Sequence, residues 1–236
     1  MRSFVCSAVI VLLLVPAFIL PALSESKHPF TFEDMMALKR INEPIVSPDG
    51  KWVLFSAVDV SLEANTKTPH VWVVPTAGGE PRVIISGQDA DRPRWSPDGK
   101  RFLFLSTKVG GSQIWIADFD AAKGSVTGTH KLTSIGTEAD GPLWSPDGKN
   151  ILFVSDVYPE CADEACNAKR VDEAEKSKVK ALIFTHLLYR HWNAYDKGKR
   201  KHLLIISADG GPSRDLTPGD HDVPPFSLGG QDDYAF

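Results

Sequence analysis

One phrase written three times at a fixed interval constrains this chain more than any other feature. WSPDGKRFLFLS runs from Trp95 to Ser106, WSPDGKNILFVS from Trp144 to Ser155, and VSPDGKWVLFSA from Val46 to Ala57, each copy 49 residues from the next. Self-similarity at roughly 20–50 residues marks solenoids, propellers and arrays, whose single units cannot bury their apolar faces until a neighbour stacks on them. The copies align without gaps. Val53, Phe102 and Ile151 share one position, Leu54, Leu103 and Leu152 the next, and Phe55, Phe104 and Phe153 the third. Apolar residues at successive positions predict strands buried on both faces.

Turn chemistry explains the middle of the phrase. Pro48, Pro97 and Pro146 pre-set the backbone at the first central turn position, and the Asp that follows tolerates the second. Gly50, Gly99 and Gly148 then supply the positive φ needed to re-enter a strand, so PRWS and RFLFLS predict a hairpin. A third strand follows in each unit, HVWVVP around Trp72 and QIWIAD around Trp115. A weaker fourth is PRVIIS or HKLTS around Leu132. Four short antiparallel strands per unit make the blade of a β-propeller. The β-branched and aromatic content excludes a helical repeat.

The third unit is longer. Its Gly-Gly turn waits until Gly210-Gly211, and 82 residues separate Ser145 from Ser227, leaving about 33 residues of insertion. Within it, 159–180 is rich in Glu, Lys, Arg and Ala and predicts an exposed helix. The third strand of this blade is LIFTHLLYRHW or HLLIIS, and the basic run Lys197–His202 reads as a polar hairpin loop. PPFSLGGQDDYAF then opens a degenerate fourth unit with Phe226 in the tryptophan position, and the chain ends inside that unit's second strand. An open arc would leave sheet edges bare, so the expectation is an N-terminal piece of a longer protein. The fold class is all-β: a partial propeller of about three and a half blades over 45–236, with blades starting near 45, 94, 143 and 225.

Two segments precede the blades. Arg2 followed by the apolar run Phe4–Leu23 and the small residues of Ala22-Leu23-Ser24 predicts a secretory signal at 1–24. The localisation expected is therefore exported, periplasmic or extracellular, with membrane contact only if the segment stays uncleaved as an anchor. Residues 25–44 form a helical segment, with Thr31 and Asp34 as a capping box, Met35, Met36, Leu38 and Ile41 at helical spacing, and Pro44 as its end.

Candidate chemistry is sparse. A net charge of -4 argues against nucleic acid as a partner. Phosphate loops, dinucleotide fingerprints and His-Glu-x-x-His are absent from the sequence, so no cofactor is expected. Cys6 leaves with the signal, while Cys161 and Cys166 form either a local disulfide or two free thiols. Their C-x4-C spacing lacks the four ligands of a zinc site, and no metal is expected. His186, His191 and His202 share no alternation or carboxylate partner and read as surface or interface residues. Glu173 and Glu175 are the substrate-binding candidates, able to capture a peptide's amino group at a pocket mouth; a solvated helix face is the plainer reading. Without a Gly-x-Ser-x-Gly elbow, no catalytic residue is assigned.

Three stretches resemble a known family: HPFTFEDMMALKRINEPIVSPDGKWVLF, the insertion ending EKSKVKALIFTHLLYRHW, and DLTPGDHDVPPFSLGG. Over residues 28–236 the chain is similar to the N-terminal part of exported serine peptidases of the prolyl oligopeptidase family, nearest the dipeptidyl-peptidase and acylaminoacyl-peptidase branch. The resemblance implies a propeller covering a C-terminal α/β-hydrolase domain whose Ser, Asp and His cleave short peptides, with that domain beyond Phe236. Such a chain, by itself, hydrolyses nothing. SPDGK units also occur in the non-enzymatic periplasmic propeller of the Tol system, which is the alternative.

Overall fold

The computed structural model describes residues 28–184, 187, 189–191, 194–195, 197–224 and 234–236. Thr31 caps the first helix, α1 (Phe32–Ala37): its hydroxyl accepts the Asp34 N–H, and the Asp34 carboxylate accepts the Thr31 N–H. The helix stops there, short of Pro44, and the chain enters strand β1 (Arg40–Val46). The reason lies in the bulge where β1 shifts register between Asn42 and Ile45. A residue without an N–H is tolerated at such a point, so Pro44 interrupts a strand and does not end a helix.

Three four-stranded antiparallel sheets follow. The first blade is β1 with β2 (Trp52–Ser61), β3 (Thr66–Pro75) and β4 (Arg82–Val83). The second is β5 (Asp91–Trp95), β6 (Arg101–Ser106), β7 (Gln113–Asp120) and β8 (Ser125–Lys131). In the third, β9 (Asp140–Trp144) and β10 (Asn150–Val157) are followed by the insertion: helix α2 (Glu164–Lys176) and a ribbon of β11 (Arg190–His191) and β12 (Ala194–Tyr195). Strands β13 (Arg200–Ser207) and β14 (Arg214–Asp215) complete that blade. HLLIIS is thus its third strand, paired along all of β10 from Asn150↔Ser207 to Val157↔Arg200. The basic run predicted as a loop is divided, since Arg200, Lys201 and His202 are strand. Each first strand begins three to five residues earlier than the repeat phrase suggested, at 40, 91 and 140. The fourth blade, expected near 225, falls largely outside the described residues.

The serine of each SPDG turn organises the hairpin. Ser47, Ser96 and Ser145 are buried. Their hydroxyls donate to Asp49, Asp98 and Asp147 at 2.6, 2.7 and 2.6 Å. The same oxygens accept the N–H of Trp52, Arg101 and Asn150 at 3.0, 3.0 and 2.9 Å. Each aspartate also takes the N–H of Lys51, Lys100 or Lys149. The serine hydroxyl bond, first among the causes, holds all three carboxyls below the ordinary carboxylate range.

The recurring tryptophan clasps one blade to the one before it. Trp95 Nε1 donates to the Ile45 carbonyl at 3.3 Å, and Trp144 Nε1 donates to the Arg94 carbonyl at 3.1 Å. Donors and acceptors are each 49 positions apart, so one bond is repeated. Val46, in the corresponding place of the first blade, is exposed.

Alternation then sends the apolar run of β6 two ways. Phe102 and Phe104, with Ala117 and Phe119 of β7, meet Leu54, Val71 and Val73 of the first blade. Leu103 and Leu105, with Ile114 and Ile116, meet Ile151, Phe153, Leu204 and Ile206 of the third. Phe104→Ala, at a fully buried site between blades, is expected to destabilise the chain by about 3–5 kcal/mol. Val109→Ala, on an exposed turn, should change stability by less than about 0.5 kcal/mol; urea midpoints measure both. The turn aspartates supply a second expectation. Their folded pKa values lie below the unfolded ones, so their stabilisation is complete above the usual carboxylate range and is lost as pH falls through it and below. Acid titration of Asp49→Asn, Asp98→Asn, Asp147→Asn should show a shallower loss of stability below about pH 4 than the parent.

Candidate functional site

First strands of consecutive blades, β1, β5 and β9, lie side by side, the position that lines a propeller's axis. Each bends at one point of the repeat. Glu43, Arg92 and Gly141, 49 residues apart, have φ of 47°, 50° and 56°. Pairing shifts register at the kinks between Asn42 and Ile45 and between Asp91 and Arg94. On the β9–β10 pair it shifts between Leu152 and Val154. Left-handed backbone at a non-glycine residue costs about 1–3 kcal/mol, and such strain collects at functional positions. A local bond opposes it: the Asp91 carboxylate accepts the Arg92 N–H at 2.8 Å, and Asp140 accepts the Gly141 N–H at 2.7 Å.

Charged side chains cross between blades at these kinks. Arg94 of the second blade bonds the Glu43 carboxylate of the first, both largely buried. Arg92 Nη1 reaches Asp140 of the third blade at 2.7 Å. Beside Arg92, a 350 Å³ cavity opens between the second and third blades, where Asp89, Asp91, Glu138, Asp140 and Asp156 outnumber Arg92 and Lys201. Asp89 is held in place by the Ser106 hydroxyl at 2.9 Å and by the Thr107 N–H and hydroxyl at 2.8 and 3.1 Å. Carboxylates so fixed suit a ligand that donates hydrogen bonds or carries positive charge.

The insertion docks through a close approach. A Cβ on Gly136 would lie 3.0 Å from Ala168 Cα, so a side chain there would press α2 away by a few tenths of an ångström. Gly136 donates its N–H to Glu164 at 2.6 Å; burial pushes the Glu164 carboxyl up, opposed in part by that bond. Asp163 caps the helix by accepting the Cys166 N–H at 2.8 Å. Cys161 and Cys166 are joined as a disulfide across this cap, their Cα atoms 5.4 Å apart.

Glu173 and Glu175 do not converge. Two positions on an α-helix differ by about 200°, placing them on opposite faces. Glu175 lines a 1170 Å³ groove between α2 and the segment after it, while Glu173 faces Lys169 at 3.8 Å and Arg170 at 4.0 Å. Neither lines the acidic cavity between the blades.

His202 departs from the surface reading. It is 1% exposed, with Nδ1 2.6 Å from Asp215 Oδ2 and Nε2 2.9 Å from the Gly219 carbonyl. Its carboxylate partner is 13 residues on, brought alongside by the β13–β14 pairing. His191 lies in β11, and His186 is outside the described residues. Sequence reasoning also passed over Glu43, Arg92, Arg94 and Asp140. The 49-residue spacing places Glu43, Arg92 and Gly141 at one repeat position, but their residue types differ, so the shared position carries no shared side-chain chemistry.

Glu43→Gln retains the shape but removes the charge opposite Arg94. It should cost about 1–2 kcal/mol, with the difference from the parent shrinking in high salt. Urea denaturation at two ionic strengths measures it.

No family model matches the chain. Uncharacterized peptidase YuxL of Bacillus subtilis (strain 168) is 29% identical over 92 residues, 38% of this chain and 14% of its own length. Dipeptidyl-peptidase 5 of Porphyromonas gingivalis is 31% identical over 85 residues, 36% of this chain and 12% of its own. Among solved structures, Pyrococcus horikoshii acylaminoacyl peptidase superposes with a TM-score of 0.56 at 18% identity, over 78% of this chain and 26% of that one. Ligand-free AtxE2 isopeptidase gives 0.54 at 17% identity, over 80% and 32%. The two solved structures share the blade architecture described above, and this chain spans 26% and 32% of them and 14% and 12% of the two sequence relatives. The chain is thus similar in sequence to parts of these peptidases and in fold to the blades of the acylaminoacyl peptidase and the isopeptidase.

Proposed function

We propose that this chain is the gating propeller of an exported serine exopeptidase of the dipeptidyl- or acylaminoacyl-peptidase type. The observation that carries the reading is the similarity to peptidases, dipeptidyl-peptidase 5 among them, in a chain that folds as propeller blades. The blades would admit short or unstructured peptides to an α/β-hydrolase domain. There a serine would take the acyl group, water would release it, and backbone N–H groups would hold the oxyanion. Within this portion, the carboxylates between the second and third blades are the groups suited to an incoming amino terminus. Support for export is confined to the sequence, in Arg2 and the apolar run 4–23.

Nucleotide sequence following the Phe236 codon tests the reading. A Gly-x-Ser-x-Gly elbow with Asp and His after it is the expected result. Further blades that close a ring with no such elbow, in an intact gene, would overturn it in favour of a Tol-type binding propeller. Residues 1–24 fused to alkaline phosphatase should yield enzyme active outside the cytoplasm; activity confined to refolded cell extracts would sink the export claim.

A further inference from the structure

We infer that the insertion in the third blade is a peripheral docking element for an anionic lipid surface. The stretch from Lys176 to Lys201 holds eight of the chain's 26 Lys and Arg and one of its 30 Asp and Glu, a local excess of seven positive charges in a chain of net -4. The same stretch carries bare aliphatic side chains. Ile183 is 86% exposed, Leu187 80% and Val179 69%, and Lys178 and Lys180, exposed as well, flank Val179. Aromatic rings lie beside them: the Phe184 ring is 4.8 Å from Tyr189, which precedes β11, and 5.8 Å from Tyr195 in β12, the strand that pairs with β11. Tyr189 and Tyr195 are themselves among the exposed large side chains.

Charge and composition decide the occupant. Protein interfaces are depleted in lysine, and their cores exclude charge. A bilayer surface, by contrast, takes aliphatic and aromatic side chains at the headgroup boundary while lysines meet anionic headgroups. Val179 between two lysines, with Ile183 and Leu187 on the same basic stretch, therefore fits an anionic membrane better than a second polypeptide. The contact proposed lies on the surface; among the described residues no helix is long and apolar enough to cross a membrane. The inference goes beyond the peptidase reading and does not depend on it.

An environment-sensitive fluorophore on Ile183→Cys in the full chain, with Cys6→Ser to remove the competing thiol, tests this. On equimolar phosphatidylglycerol and phosphatidylcholine vesicles its emission should shift to the blue, and molar salt should reverse the shift. The same label on Val109→Cys, in the exposed turn between β6 and β7, should not respond. Lys178→Glu with Lys180→Glu should weaken binding at least about tenfold, since each lysine near an anionic surface contributes on the order of 1 kcal/mol. The inference is overturned if the label at 183 stays water-like on anionic vesicles, or shifts equally on pure phosphatidylcholine. A label that is buried by an added polypeptide and unmoved by vesicles would likewise overturn it and assign the patch to a protein interface.

Discussion

Mutual burial of neighbouring blades is the constraint from which the rest of this structure follows. A four-stranded sheet with apolar residues on both faces has no stable existence alone, and the second blade shows what resolves it. Phe102 and Phe104 go to one neighbour and Leu103 and Leu105 to the other. Trp95 and Trp144 add a directional bond to that non-directional attraction, each donating to the preceding blade at the same repeat position. Where the first blade turns its other face outward, a different device appears. Phe55 stacks on Trp72, and the Lys39 ammonium, at the exit of α1, sits 5.1 Å over the indole while pairing with Asp59. An aromatic face is thus covered by a lysine of the segment that precedes it.

Close stacking of blades also creates the inner wall. First strands approach one another near the axis, and the left-handed kinks at Glu43, Arg92 and Gly141 let each strand turn without losing its pairing to the second. Charge crosses at those kinks, which ties the apolar interface outside to an ionic one inside. The acidic cavity beside Arg92 lies between the same two blades, lined by Asp89, Asp91, Glu138, Asp140 and Asp156. A site built this way belongs to no single blade.

Much of this was legible from spacing. The turn residues and the two-faced strands follow from periodicity and backbone chemistry, because these act over a few residues, whereas the choice of HLLIIS over LIFTHLLYRHW as third strand needed the pairing with β10. The serine of SPDG was not legible as a hub, since its importance lies in being buried while bonding residues two and five positions on. Pro44 misled for a related reason: proline ends helices and also sits in bulges, and only the pairing of β1 with β2 distinguishes the two. Glu173 and Glu175 looked like a pair because they are near in sequence, whereas helical geometry sets them apart.

The amino-acid sequence by itself determined the blade, its repeat and its turns, because local backbone preferences and a 49-residue period are written in consecutive residues. Only the tertiary structure decided which charges meet. Glu43 with Arg94, Arg92 with Asp140 and His202 with Asp215 are partners separated by 51, 48 and 13 residues. Such pairs form when stacked blades and paired strands bring distant backbones within a few ångströms, and no local pattern encodes that distance.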